Sequence, residues 1–294
     1  MSTVLPRRIA GILLLTAFGL LAQRAAYAAN RDESLPPRSE WHASSSSVET
    51  PALASALAID GDDTTRWGGA FSPGNWLQVD LGRASSIGGA LIHWDSGFAT
   101  AYSIQSSIDG QDWHVAFETT DSQGAIDYVF FPVVQARYLR LAAPARTSDW
   151  GVSVFEFEPL SAHDAPRISG VASEANAAAL WSDGKPVALK APARGAATSE
   201  LHIALPRALQ IAGLEVFWAA PRDSVRLDAR DASNRWQLLA DDPSPLGDVS
   251  TLAAREARTV SELRLSVTAS AGKAPAIRRL RLLSPARVMT PMKR

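Results

Sequence analysis

Trp76-Leu77-Gln78-Val79-Asp80-Leu81-Gly82 is the stretch on which the fold turns. Leu77, Val79 and Leu81 alternate with Gln78 and Asp80, the period of two that gives a strand one buried and one wetted face. Working outward, Ala90 to Trp94 follows, then Tyr102 to Ser106 with Tyr102, Ile104 and Ser106 on one face. Ile108-Asp109-Gly110 is a hairpin turn signal leading into Trp113-His114-Val115-Ala116-Phe117. Tyr128 to Phe131, Arg137 to Leu141 and Val152 to Phe157 complete the set, and no stretch here sustains a helical period. About seven or eight short strands in little over a hundred residues predict an antiparallel β-sandwich.

The pattern then repeats. Val79-Asp80-Leu81-Gly82 is answered by Ile203-Ala204-Leu205-Pro206, Ile87-Gly88-Gly89 and Trp94 by Ile211-Ala212-Gly213 and Trp218, and Tyr138-Leu139-Arg140-Leu141 by Glu262-Leu263-Arg264-Leu265. The offset holds at roughly 123 to 124 residues, which chance apolar matches would not maintain. The expected organisation is therefore all-β, two tandem sandwiches at 48–160 and 168–284, joined by a linker at 161–167. A polar linker at 29–47 precedes them, and a short basic tail at 285–294 follows.

The chain has 294 residues, a net charge of -1 and no cysteine. Its charge balance gives no reason to propose nucleic acid or an anionic membrane as partner. Arg7 and Arg8 precede an apolar run from Ile9 to Ala22, and Ala26-Tyr27-Ala28 has the small-x-small form of a cleavage site. This reads as a signal peptide over 1–28, cleaved after Ala28, and predicts a secreted or periplasmic protein. The run is shorter than the roughly 20 apolar residues that a membrane anchor needs. Removing the arginines at 7, 8 and 24 takes the net charge from -1 to -4. An exported chain without cysteine has no disulfides to draw on, so packing, and a metal if one is bound, must stabilise it.

One further stretch carries chemistry: Ala58-Ile59-Asp60-Gly61-Asp62-Asp63-Thr64-Thr65-Arg66-Trp67. Carboxylates and hydroxyls packed this densely around a glycine suit a hard cation such as calcium. An acidic turn between strands reads the same way.

Residues 48–160 resemble the discoidin domain, also called the coagulation factor five/eight type C domain, whose bacterial branch is carbohydrate-binding module family 32. The matching pieces are Asp60-Gly61-Asp62 with Thr65-Arg66-Trp67, then Trp76 to Gly82, then Tyr102-Ser103-Ile104-Gln105 with Asp109-Gly110 and Trp113. Ala136-Arg137-Tyr138-Leu139-Arg140-Leu141 and Trp150 to Glu158 close the series. The resemblance implies a galactose-binding-like jelly roll with one structural calcium. Its ligands would be the Leu57 carbonyl, the Asp60 and Asp62 carboxylates, Thr65, and Glu156 in the last strand. It also implies a sugar site on neighbouring loops, with Glu49 and Arg66 gripping hydroxyl, amino or acetamido groups and Phe71 or Trp150 stacking on the ring. Arg66 and Glu49 pairing only with each other, and the two aromatics only capping the core, are the plainer alternatives. Asp63 has no ligand role by this analogy and is expected in solvent; Trp67, Trp76 and Trp113 are expected in the core. Val152 stands where related modules often have tyrosine. In the second half, Asp183-Gly184 answers Asp60-Gly61, but Lys185 stands in the place of Asp62, and Ile277-Arg278-Arg279-Leu280 lies near the place of Glu156. Cations at both corners would repel a divalent ion, so this sandwich is expected to be metal-free; its sugar-binding residues are unrecognisable, and it is expected to be a spacer.

Nothing reads as catalytic. The five histidines are scattered, with no His-Glu-x-x-His spacing, no Gly-x-Ser-x-Gly elbow and no phosphate-binding loop. Asp95, Glu118 and Asp127 offer carboxylates, but nothing pairs them across a cleft. The sequence thus predicts a secreted, non-catalytic protein that binds polysaccharide or glycan. Two alternatives stand beside it: the binding region of a larger exported glycoside hydrolase or lyase, and a protein or lipid adhesion module.

Overall fold

The computed structural model describes residues 34–144, 150–182, 184–192, 198–231, 233–269 and 274–285. The expected signal peptide with its expected cleavage after Ala28, Asp183 and nearly all of the expected basic tail lie outside the described residues. Residues 35–294 fall in one compact unit.

The first sheet contains β1 (His42–Ser45), β2 (Trp67–Gly68), β3 (Asn75–Trp94), β4 (Tyr102–Ser107), β5 (His114–Thr119), β6 (Ile126–Ala143) and β7 (Ser153–Ser161). They run in the order β2-β7-β3-β6-β4-β5, with β1 on the free side of β3. The second contains β8 (Arg167–Ser169), β9 (Val187–Ala188), β10 (Thr198–Trp218), β11 (Ser224–Arg230), β12 (Trp236–Asp242), β13 (Val249–Thr268) and β14 (Ala276–Leu283). Read from its other edge, its order is β9-β14-β10-β13-β11-β12, with β8 on β10, the same topology strand for strand. All named pairings are antiparallel. The all-β, antiparallel organisation in two tandem units expected from the alternation and its repeat is what the chain forms.

Strands that read as separate in sequence are single long ladders. Leu77–Leu81 and Ala90–Trp94 are the two ends of β3, which breaks register against β6 between Asp80 and Ser85 and again between Ile87 and Gly89. Such bulges bend a strand and let it serve both faces of a sandwich. Strand β10 breaks register against β13 between Ala204 and Leu209 and between Ile211 and Gly213, roughly 124 residues on in each case. The stretch expected to be a leading linker contains β1, with Ala43 and Ser45 against Val79 and Leu77. The expected interdomain linker begins with Ser161, the last residue of β7. A 3-10 helix follows at Ala162–Asp164, closed by a capping box between Ser161 and Asp164.

Two cores result. One is built on Trp67, Leu77, Val79, Leu81, Ile92, Trp94, Leu139 and Phe157. The other belongs to the second sandwich but also takes in Leu91, Tyr128, Phe130 and Leu160 from β3, β6 and β7. Phe130 meets Trp181 at 5.1 Å between ring centroids, and the Tyr128 hydroxyl donates to the Gln210 carbonyl at 2.7 Å. Asp121 receives Arg279 and Arg281 at 3.0 Å each, and Arg207 reaches Glu158 at 3.1 Å. Burial pushes the Asp121 carboxyl up, but the Thr119 hydroxyl and the two guanidiniums outweigh it and leave the group below its ordinary value. The sandwiches therefore share packing as well as charge.

Of the three tryptophans expected in the core, Trp67 is fully buried. Trp76 and Trp113 lie half-buried on the outer face, with the Arg140 guanidinium 4.8 Å from one ring and 3.6 Å from the other. Trp76 falls on the wetted side of the β3 alternation with Gln78 and Asp80, Trp113 precedes β5, and the arginine packs on both rings.

Candidate saccharide site and the loop behind it

β2 is only two residues long, and it carries the site because what precedes and follows it is held by backbone. Glu49 donates its N–H to the Gly68 carbonyl at 2.7 Å, and Gly69 donates to Val152 at 2.8 Å. A Cβ on Gly68 would lie 3.2 Å from Arg66 Nη1 and 3.4 Å from Glu49 Oε2, so both side chains flank this glycine. A Cβ on Gly151 would run into the carbonyl of Gly69, so glycine at 151 is what permits the two loops to close on each other. Those loops present Phe71 and Trp150, 48% and 66% exposed, with ring centroids 6.0 Å apart and planes at 88°. The four residues expected to contact sugar are thus brought to one end of the sandwich, and the two aromatics stand in solvent and do not cap the core.

Arg66 is fixed from the far side by groups that sequence reasoning did not connect to it. Its Nη1 donates to Ser153 Oγ at 2.7 Å, and its Nε lies 3.3 Å from Asp95 Oδ2. Asp95 itself donates its backbone N–H to the Ser153 carbonyl at 3.1 Å. Only topology makes these neighbours, because Ser153 opens the last strand and Asp95 follows the third. A guanidinium held this way keeps part of its donor fork for a ligand while spending little entropy on being ordered.

Behind the site lies the acidic loop. Thr65 Oγ1 is 2.8 Å from Asp60 Oδ2, 3.1 Å from the Asp62 carbonyl and 3.4 Å from the Leu57 carbonyl. The Asp62 carboxylate turns the other way and caps Thr64, accepting from its N–H at 2.9 Å and its hydroxyl at 2.6 Å; these bonds hold its carboxyl below the ordinary value. Glu156, 5% exposed, accepts the Gly61 N–H at 2.7 Å and Arg38 Nη1 at 2.5 Å. Burial raises the Glu156 carboxyl, and the bonds to Arg38 and Gly61 only partly offset it. Asp63, expected in solvent, lies 2.7 Å from His93 Nδ1.

Among the described residues, no group of three or more His, Cys, Asp or Glu side chains is placed to hold a metal ion. The donor set that does converge mixes types: the carbonyls of Leu57 and Asp62, one Asp60 oxygen and the Thr65 hydroxyl. Hard oxygens at these spacings fit a cation such as calcium, which readily takes carbonyls. The Glu156 carboxylate is shared with Arg38, so an ion here would compete with a guanidinium for it.

Comparison with known proteins agrees with this architecture. Residues 42–157 match the F5/8 type C domain. Among curated proteins, a stretch of 95 residues, 31% of this chain, is 33% identical to the polysaccharide lyase 8 family protein HylA of Enterococcus faecalis, and the chain spans 7% of that protein's length. Among solved structures, chitosan-binding module 2 of a chitosanase/glucanase from Paenibacillus sp. IK-5, solved with chitotriose, is 35% identical; the match covers 42% of this chain and 97% of that one, with a TM-score of 0.40. The family 32 module of Clostridium perfringens NanJ, solved with galactose, is 23% identical over 43% of this chain and 97% of that one, with a TM-score of 0.39. The family match places residues 42–157, the first sandwich, with the F5/8 type C domain.

Proposed function

We propose that this protein is exported and binds polysaccharide or glycan through the loop end of its first sandwich. The observation that carries this reading is the convergence of Glu49, Arg66, Phe71 and Trp150 around Gly68, Gly69 and Gly151. Arg66 donates to sugar oxygens, Glu49 accepts from hydroxyl or amino groups, and Phe71 or Trp150 offers an apolar face to the ring C–H groups. The site is an open loop surface, so each contact is modest and recognition is of one or a few sugar units. Calcium, bound by Leu57, Asp60, Asp62 and Thr65 with Glu156 behind them, would fix the loop that leads into Arg66; its part is structural. A glycan array that includes chitotriose and galactose tests the reading. Binding that is lost in Arg66→Ala and Trp150→Ala, with the melting temperature kept, supports it; no binding to any glycan sinks it.

The match to a polysaccharide lyase favours one second reading, that this chain serves as the binding region of a larger exported enzyme acting on the same polymer. Extending the open reading frame and assaying the product for cleavage separates the two.

A further inference from the structure

The corner just past the third strand of each sandwich differs in a way that opens a cleft in one and closes it in the other. In the first sandwich, Phe98 fills the corner: its ring lies 2.9 Å from where a Cβ on Gly124 would sit, and Gly124 has φ +73°. In the second, roughly 124 residues on, Arg222 takes the place of Phe98 and Gly247, with φ +66°, that of Gly124. A Cβ on Gly247 would meet nothing within 4 Å. The Arg222 guanidinium has instead folded over Trp218, 4.9 Å from the ring centroid, where it donates to the Gly247 carbonyl at 2.7 Å and to Ser250 Oγ at 3.2 Å.

What remains is a cleft of about 540 Å³, within the size range of small-ligand sites. Pro221 and Pro245 supply apolar wall, and Arg222, Asp248 and Arg278 supply charge. Arg222 spends its donors on the Gly247 carbonyl and Ser250 Oγ, which leaves Arg278 and Asp248, one charge of each sign, facing the cleft. An anion drawn to Arg278 would meet the Asp248 carboxylate beside it. A neutral polyol uses both signs. Arg278 and Asp248 are 3.6 Å apart, too loose for a hydrogen bond, with side chains 42% and 74% exposed, so each is open to a hydroxyl.

We infer that this cleft is a second saccharide site, which takes a neutral sugar residue by adjacent hydroxyls, Arg278 donating and Asp248 accepting. It is independent of the site in the first sandwich. Because both sandwiches belong to one compact unit, two sites would grip one polymer with avidity that neither has alone.

The test uses the whole chain carrying Arg66→Ala and Trp150→Ala, which removes the first site. It is titrated with neutral gluco-, manno-, galacto- and xylo-oligosaccharides and chitotriose, and with galacturonate oligomers as the acidic arm. The expected result is residual binding to at least one neutral oligosaccharide, weakened about tenfold or more by Asp248→Ala and by Arg222→Phe, which rebuilds the plug of the first sandwich. Asp248 is exposed, so its replacement leaves the fold intact even if Arg222→Phe does not. No residual binding overturns the proposal, as does residual binding that Asp248→Ala leaves unchanged or a preference for galacturonate. If the background variant binds as tightly as wild type, the first site fails and this one stands.

Discussion

The two sandwiches follow one blueprint and diverge at matching positions. At the same register point of the last strand, opposite His93 in one and Phe217 in the other, stand Glu156 and Arg279. Glu156 turns toward its own sandwich, where it holds Gly61 and Arg38 beside the acidic loop. Arg279 reaches out of its sandwich to Asp121 of the first. One reversal of charge has changed the job of the position from bracing a loop to joining two bodies. The fold tolerates this because β7 and β14 need only the alternate apolar residues, such as Phe157 and Leu280, to stay buried.

The largest effect should come from breaking what the sandwiches share. Trp181→Ala removes the ring that packs on Phe130 and should cost about 4 kcal/mol. Chemical denaturation of the wild type should show one transition, because the second core includes first-sandwich residues. Two well-separated transitions would contradict the shared core. Next comes Asp121→Ala, which strands Arg279 and leaves Arg281 with Glu215 as its one carboxylate among the described ion pairs. Asp121 is 36% exposed, so the loss should be roughly 2 kcal/mol, less than for a fully buried pair. An equal loss from Arg207→Ala, whose pair with Glu158 is more peripheral, would remove Asp121 from its special place.

Acid should then separate the two sandwiches by sign. In the second, Arg226 and Arg264 hold the Asp228 carboxyl below its ordinary 3.8 despite burial. Its stabilising contribution is present above that value and is lost as pH falls through the depressed one. In the first, burial raises Glu156 above its ordinary 4.5. Its contribution is full below 4.5 and is lost as pH rises through the elevated value. Asp228→Asn should therefore flatten the most acidic limb of a melting-temperature profile, and Glu156→Gln the limb above 4.5. Identical profiles for both variants would break this contrast. Calcium gives a smaller effect: millimolar calcium should raise the melting temperature by a few degrees, and Asp60→Ala should abolish the rise. Arg38→Ala should enlarge it by freeing Glu156. A chelator that leaves the wild type unmoved would remove the ion from the account.

The alternation of Leu77, Val79 and Leu81 and its echo at Ile203 and Leu205 made the two sandwiches legible before any coordinates. The long bent strands were not legible, because exposed residues at the bulges, such as Arg83 and Pro206, look like ordinary turns while the ladder continues past them. At the candidate site, the resemblance singled out Glu49, Arg66, Phe71 and Trp150, and the fold brings these four to one end of the first sandwich. Asp95 and Ser153, which hold Arg66, come from strand ends that only the topology joins. Arg38 sits in a polar run that reads as a linker, and nothing local marks it as the partner of a carboxylate in the last strand. The Asp121 clamp is invisible for the same reason: each of its charges, alone, looks like a solvated surface group.

The most direct test of the central claim is a titration of the whole chain and of Arg66→Ala with whichever glycan the array selects. If the loop end of the first sandwich is the principal site, Arg66→Ala should weaken binding about tenfold or more, while circular dichroism and melting temperature show an intact fold. Unchanged affinity in a folded Arg66→Ala variant would contradict it.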